Sequence, residues 1–197
     1  MSIGIIILAA GSSSRLGQSK QLIKVDGKTL LEKTTQAALD SGAHPILVVL
    51  GNQASAHRKA IETLPVNIVI NEDWSNGMGS SLKEGLQRLL KDYPKTEGII
   101  VTVCDQPYLT TNHLKKLISA YTNTSSEIVA SHYKDTNGVP ALFSKTLFQK
   151  LLQLEDDEGA RKIIRQHDGT IEFVVFEKGE IDIDTPDDLN YLMNNKD

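Results

Sequence analysis

The chain has 197 residues, 40 % of them hydrophobic, a length and composition that suit one domain, 1–197, with a sizeable core rather than two independent units. Its 21 Lys and Arg against 25 Asp and Glu leave a formal charge of −4 with no gathered basic segment, which argues against nucleic acid as the main partner. Cys104 is the single cysteine, so no intramolecular disulfide is expected, and the apolar run 3–10 is too short to span a membrane and lacks signal-peptide flanks; no membrane partner and a cytoplasmic address follow as expectations.

The first element is a buried strand over 4–10, continuously apolar and rich in isoleucine, breaking sharply into GSSS. A helix follows over 30–41, with Leu30, Leu31, Thr34, Ala37 and Ala38 on one side and Gly42 as its stop. Strands over 45–50 and 66–70 bracket a short polar helix at 55–63. Leu82, Leu86, Leu89 and Leu90 make 80–90 a helix, and 98–104 reads as a central strand ending in a buried Cys104. Asn112 is the expected cap of a helix to about 120, with Leu114, Leu117 and Ile118 inward. Short strands at 128–131 and 139–143 flank a GVP turn, and the turn-rich stretch around 136–140 reads as an excursion covering the active site. Helices at 145–154 and 159–166 follow, the second with Arg161 and Lys162 as ordinary surface residues. Strands at 171–176 and 181–183 and a closing helix at 187–194 complete the chain. This alternation predicts an α/β fold of three layers, α/β/α and Rossmann-like, around a predominantly parallel mixed sheet.

Chemistry concentrates first in LAAGSSSRLGQSK at 8–20. A strand that ends in AAG and opens into polar, glycine-containing sequence aims backbone N–H groups at the carboxyl edge of a sheet, where they cradle phosphate without side-chain charge. Leu8, Ala9, Ala10 and Gly11 form that edge, and Arg15 and Lys20 add a bidentate guanidinium and a mobile ammonium, while Gly17 supplies turn geometry. Neither G-x-G-x-x-G nor G-x-x-x-x-G-K-[ST] is present, which argues against a dinucleotide oxidoreductase and a Walker-type ATPase. Asp105 follows a strand at the same kind of edge, where a carboxylate suits a hard ion such as Mg²⁺, and Gln106 can orient a ligand or a water. Asp182 and Asp184 alternate across Ile183, which places both carboxylates on one side of an extended strand and calls for a cation between them. Asp184 could instead cap the final helix, whose first-turn acids are Asp187 and Asp188. The segment 74–81 opens a helix with Gly77, Met78, Gly79, Ser80 and Ser81, while Trp74 reads as packing and Asn71 as a candidate for reading the base. The five histidines, His44, His57, His113, His132 and His167, form no cluster and are not needed as general bases.

Six blocks in order carry a resemblance: LAAGSSSRLGQSKQL at 8–22, DWSNGMGSSLKEGL, VCDQP, NGVPALF, GARK and DIDTPDDL. Together they cover nearly the whole chain and resemble the MobA-like nucleotidyltransferase family, most closely its molybdenum cofactor cytidylyltransferase branch. The resemblance implies transfer of CMP from CTP to the phosphate of molybdenum-bound molybdopterin, with pyrophosphate leaving and molybdopterin cytosine dinucleotide formed. It implies Asp105 as the leading Mg²⁺ ligand and the 182–184 segment as the second contribution, with Asp184 preferred and Asp182 retained. Gly77 to Ser81 fall on the nucleotide side, and Gly138, Val139 and Pro140, with His132 nearby, on the acceptor side. Ile23 and Lys24 stand where members often have Leu-Pro, a change that removes no phosphate donor. Related activities are guanylyl transfer, transfer to sugar or alcohol phosphates, and non-catalytic delivery of the pterin cofactor. A molybdenum hydroxylase is the implied recipient of the product, and a monomer suffices because one chain holds every block.

Overall fold

The computed structural model describes residues 2–194. β1 (Ile3–Ala9) is buried along its whole length, because a strand flanked on both edges and covered on both faces leaves no position for a polar residue. It pairs in parallel with β4 (Ile46–Leu50) on one side and β6 (Gly98–Val103) on the other. Between them in sequence lie a two-residue pair, β2 (Lys24–Val25) with β3 (Lys28–Thr29), and helix α1 (Leu30–Asp40). α1 starts at a reciprocal capping box: Thr29 accepts from the Glu32 N–H while Glu32 accepts from the Thr29 N–H. α2 (Ala54–Ala60) leads to β5 (Asn67–Ile70), parallel to β4, and α3 (Met78–Asp92) leads back to β6. α4 (Thr111–Thr124) is capped by Thr110, whose hydroxyl accepts from the His113 N–H, rather than by Asn112, which lies inside the first turn.

The remaining strands are β7 (Ile128–Tyr133), β8 (Thr136–Ser144) and β9 (Ile171–Val175). The main sheet has seven strands in the order β5-β4-β1-β6-β8-β7-β9, all parallel except β8, which runs antiparallel to both neighbours. Two expectations are corrected here. The stretch around 136–140 is no separate excursion: it is the outer part of β8, paired with β7, and only its 141–144 portion reaches β6. The hairpin turns at 134–135 instead of at GVP, with Lys134 at φ +52°. Nor is 181–183 a strand; it is irregular and tied to the sheet by the Ile183 N–H donating to the Asp105 carbonyl at 3.0 Å. A segment that meets one strand end rather than a strand edge has no ladder to join.

Alternation along β1 divides the core. Ile3, Ile5 and Ile7 face α1, α4 and the end of α2, with Leu31, Leu114 and Leu117. Ile6 and Leu8 face the opposite layer, where Leu82, Leu86 and Leu89 of α3 are fully buried beside α5 (Phe148–Leu152) and α6 (Arg161–Gln166). Each such leucine contributes about 1.5–3 kcal/mol of burial, so α3 is fastened to the sheet along its length. The three-layer α/β/α arrangement is thereby present. A satellite core joins Leu16, Ile23, Val25 and Leu30 to Ile183 and to Leu192 of α7 (Pro186–Asn194). That small core brings the loop after β1 against the segment that carries Asp182 and Asp184. Among the described residues no helix is long and apolar enough to cross a membrane.

Candidate active site

β1 lies where the order of the sheet reverses: the chain builds β4 and β5 to one side and β6 to the other. In open α/β sheets the crevice beyond the strand ends at such a point receives ligands. Two cavities open there and share Met78, Val103 and Asp105. The first, about 300 Å³, is lined by Leu8, Ala10, Gly11 and Ser12 of the loop, by Lys20 and Gln21, and by Trp74, Gly77, Met78 and Ser81 opposite. The second, about 490 Å³, lies toward β8 and is lined by Gln106, Tyr133, Val139, Asp157, Arg161 and Asp182 among others.

At their junction four charged side chains meet. The Lys20 Nζ donates to Asp105 at 2.6 Å and to Asp184 at 2.8 Å, and Arg15 donates to Asp184 at 2.6 Å. Burial alone would lower the Lys20 pKa, but the two carboxylates outweigh it and hold the ammonium above its ordinary range. Burial likewise pushes Asp184 upward, and the Lys20 hydrogen bond and charge, with Arg15, overcome it and hold the carboxyl below its ordinary value. Asp182 goes the other way: burial, then the nearby charges of Asp105 and Asp184, raise it. Asp182 lines the second cavity while Asp184 turns to Lys20, so the two carboxylates face different surroundings. Among the described residues no group of three or more His, Cys, Asp or Glu is arranged to hold a metal ion. Asp184 is not the cap of α7. Thr185 and Asp188 fill that role: the Thr185 N–H donates to Asp188 at 2.8 Å, and the Asp188 N–H to the Thr185 hydroxyl at 3.3 Å.

The loop 10–20 is held from beneath by Gln21, 1 % exposed, a residue the sequence pattern does not single out. Its amide nitrogen donates to the Ala9 and Gly11 carbonyls at 3.3 and 2.9 Å, while its oxygen accepts from Ser13 and Ser19 at 3.2 and 2.9 Å. Ala9 therefore takes part through its carbonyl and core packing, whereas Leu8, Ala10 and Gly11 face the cavity. Gly17, at φ +72°, forms the turn before Lys20. Arg15 has 72 % of its side chain exposed, so its ion pair is weak and the guanidinium can exchange partners readily. Cys104 also borders the cavity, and burial with the Asp105 charge pushes its thiol up to about 12, which makes it a packing group and not a nucleophile.

Opposite the loop, the start of α3 is covered by the segment 155–158. The Ser80 N–H donates to the Asp156 carbonyl at 3.2 Å, and Lys83 holds Asp156 at 2.6 Å and the Leu154 carbonyl at 2.8 Å. A Cβ on Gly77 would stand 2.4 Å from the Asp156 carbonyl oxygen, and one on Gly79 would stand 2.1 Å from that of Glu155. These glycines answer to a backbone approach from elsewhere in the chain. Gly79→Ala is accordingly expected to destabilise the protein by about 1–3 kcal/mol, read as a lower melting temperature; an unchanged melt would reject this packing role. Ser80 is spent on the Asp73 and Gly77 carbonyls, and Asn71, 4 % exposed, donates to Ser80 and Ser81 at 2.9 and 3.0 Å beneath the helix start. Gly77, Met78 and Ser81 line the cavity; Gly79, Ser80 and Asn71 support it. Trp74 does both, its Cβ lying 2.4 Å from where a Gly51 side chain would begin.

Toward β8, Val139 lines the second cavity, while Gly138 packs by the Tyr133 hydroxyl and the Pro140 carbonyl accepts from Ser131. Arg161, expected as ordinary surface, lines this cavity and donates to Thr136 and to the Asn137 carbonyl. It is the guanidinium of the second cavity, brought there because α6 packs on β8. Gln106 donates to the Val139 and Gly179 carbonyls at 3.1 and 2.9 Å and so fastens the turn before Asp182 to the sheet. None of the five histidines lines either cavity. His113 stacks on Phe176, and His132 bonds Asn137 at 2.8 Å.

Residues 5–171 match the family described as MobA-like NTP transferase domain. Among curated proteins the chain is 30 % identical to the molybdenum cofactor cytidylyltransferase of Escherichia coli, over 95 % of this chain and 93 % of that one. It is 29 % identical to the nicotine blue oxidoreductase of Paenarthrobacter nicotinovorans, over 95 % of each. The crystal structure of Rv0371c from Mycobacterium tuberculosis superposes with a TM-score of 0.88 at 31 % identity, covering 99 % of this chain and 98 % of that one. A manganese complex of Rv0371c gives 0.84 at 29 %, covering both chains fully.

Proposed function

The chain belongs to the MobA-like NTP transferase family, and from that premise we propose that it transfers CMP from CTP to molybdenum-bound molybdopterin, forming molybdopterin cytosine dinucleotide and releasing pyrophosphate. Membership makes the reaction a nucleotidyl transfer to a phosphate-bearing acceptor. The observation that carries the reading is the placement of Lys20 between Asp105 and Asp184 where the two cavities meet. The similarity to the cytidylyltransferase over nearly its full length supports the choice of base and acceptor.

In this reading the first cavity takes the nucleotide. Backbone N–H groups at 10–12, with Arg15 and Lys20, draw charge from the β- and γ-phosphates as pyrophosphate departs. Trp74, Met78 and Ser81 bound the nucleoside side. The second cavity takes the acceptor, whose phosphate oxygen attacks the α-phosphorus; that P–O bond forms as the bond to the β-phosphate oxygen breaks. The attacking oxygen is already an anion, so no protein base or covalent nucleophile is required, and alignment with charge screening is the work left to the protein. Arg161 and the Gln106-fastened turn orient the acceptor. Two carboxylates together with phosphate oxygens and water form the donor set that Mg²⁺ prefers, so Asp105 and Asp184, or Asp182 from the second cavity, would hold it jointly with the nucleotide. Mg²⁺ bound there supplies neutralisation of the triphosphate.

The test is pyrophosphate release and product mass from purified protein with Mg²⁺, molybdopterin cofactor and each of CTP, GTP, ATP and UTP. CTP turnover that depends on the pterin is expected. Turnover with GTP alone, or with a sugar or alcohol phosphate in place of the pterin, would overturn the assignment. Pterin binding without pyrophosphate release from any nucleotide would favour a delivery role.

A further inference from the structure

His57 is fully buried on α2, away from both cavities, and its Nε2 lies 2.7 Å from the Ser19 hydroxyl; its Nδ1 is buried without a hydrogen-bond partner among the described residues. A buried imidazole so placed carries a cost that packing alone does not explain. We propose that His57 is a positioning residue for the nucleotide-binding loop, holding Ser19, and through it Gln21, in the arrangement that shapes the phosphate cradle at 9–13. The inference rests on the nucleotidyl-transfer reading of that loop and assigns it a support on α2.

Counting protons sets the direction of the chain of bonds. Gln21 spends its amide N–H groups on the Ala9 and Gly11 carbonyls, so its oxygen must accept, and both Ser13 and Ser19 donate to it. Ser13 uses a lone pair for the Lys20 N–H at 3.1 Å. Ser19 has one proton and gives it to Gln21, so the bond to His57 must run from Nε2–H to the Ser19 oxygen. The neutral ring is then the Nε2–H tautomer, and the atom left over is the Nδ1 lone pair, which is cheaper to orphan than a buried N–H. Burial holds the imidazole below its ordinary pKa, in keeping with a neutral ring. The β4–α2 connection also grips the near end of the loop, the Asn52 N–H donating to the Ala10 carbonyl at 3.0 Å. α2 and the connection that precedes it thus support the loop at both ends, His57 at Ser19 and Asn52 at Ala10.

Three measurements on the whole protein test this. Calorimetric titration with CTP and Mg²⁺ compares wild type with His57→Leu, His57→Gln, Ser19→Ala and the Ser19→Ala/His57→Leu double variant. His57→Leu keeps apolar bulk and loses the donor, so binding is expected to weaken about fivefold, the worth of one net hydrogen bond. His57→Gln carries an N–H at the same reach and is expected to stay within about twofold of wild type. The double variant should bind no more weakly than the weaker single one, since both break the same link. Amide hydrogen exchange should accelerate at 11–20 in His57→Leu while β1 and β4 keep their protection, and nitrogen NMR of wild type should find His57 protonated at Nε2. Undiminished CTP affinity in His57→Leu, equal losses in the Leu and Gln variants, or an Nδ1–H tautomer would overturn the proposal. Wild-type protein that binds no nucleotide would defeat the functional reading instead, and the exchange and tautomer measurements would still decide the role of His57.

Discussion

Asp105→Asn is expected to lower nucleotidyl transfer by at least about a thousandfold while the protein stays folded. Asn keeps the size and shape of the side chain at the end of β6, so the core formed by Ile99, Ile100 and Val101 is untouched. What disappears is the negative charge that faces Lys20 at 2.6 Å, where both cavities converge. Without it the junction loses an oxygen ligand suited to a hard cation and loses the partner that positions the Lys20 ammonium. Pyrophosphate release measured beside a thermal melt separates the two effects. Turnover within tenfold of wild type would remove Asp105 from the chemistry, whatever the melt showed.

Lys20→Met is the second large effect, and it touches both rate and stability. Losing one preorganised positive group beside a departing pyrophosphate is expected to cost roughly a hundred- to a thousandfold in turnover. The stability arm has a definite sign. Lys20 holds Asp184 below its ordinary carboxylate pKa, a contribution present above the unfolded value and lost as pH falls through the folded one. Asp105 first and Asp184 after it raise Lys20 against its burial, a contribution present below the ordinary lysine range and lost as pH rises through the folded pKa. Between those limits, and so at neutral pH, the Met variant should melt below wild type, because Asp105 and Asp184 are left without their shared ammonium. The gap should close as Asp184 is protonated in acid. Equal melting temperatures at neutral pH would show that the ion pairs contribute nothing to the fold. Partial recovery of the variant's melt with millimolar Mg²⁺ is expected as well, since a divalent ion would replace the missing charge between the carboxylates.

Much of the layout was legible because local pattern reports burial. Continuous apolar runs ending in Gly or polar turns gave the parallel strands, and leucines at helical spacing gave α3 with its buried face. Arg15, Lys20 and Asp105 were legible as site candidates because charged residues directly after a buried strand have only the carboxyl edge to occupy. The errors fell where burial had two explanations. Turn residues at 136–140 suggested an excursion, yet Gly138 and Pro140 sit within the antiparallel β8, whose pairing with β7 tolerates a register shift at Ala130/Ser131. The alternation of Asp182, Ile183 and Asp184 mimicked a strand, whereas Ile183 is buried by a satellite core and not by a sheet. Gly79 and Ser80 had the composition of a ligand loop and are occupied instead by the 155–158 segment, a neighbour more than seventy residues away.

The sequence by itself determined most of the strands and helices, that a glycine- and serine-rich loop carrying Arg15 and Lys20 follows the first strand, and that acidic residues stand at two later strand or segment ends. These are short-range properties, set by alternation, helical period and backbone preference within about ten residues. The tertiary structure alone decided which ends meet. Lys20 reaches Asp105 and Asp184 across 85 and 164 positions of chain, Arg161 enters the second cavity from a helix that looks like surface, and Gln21 becomes the keystone of the loop only once Ser13, Ser19 and His57 surround it. Periodicity states that a side chain is buried and is silent about its partner, since the partner depends on the order of the main sheet and on its antiparallel β8, which no local signal announces.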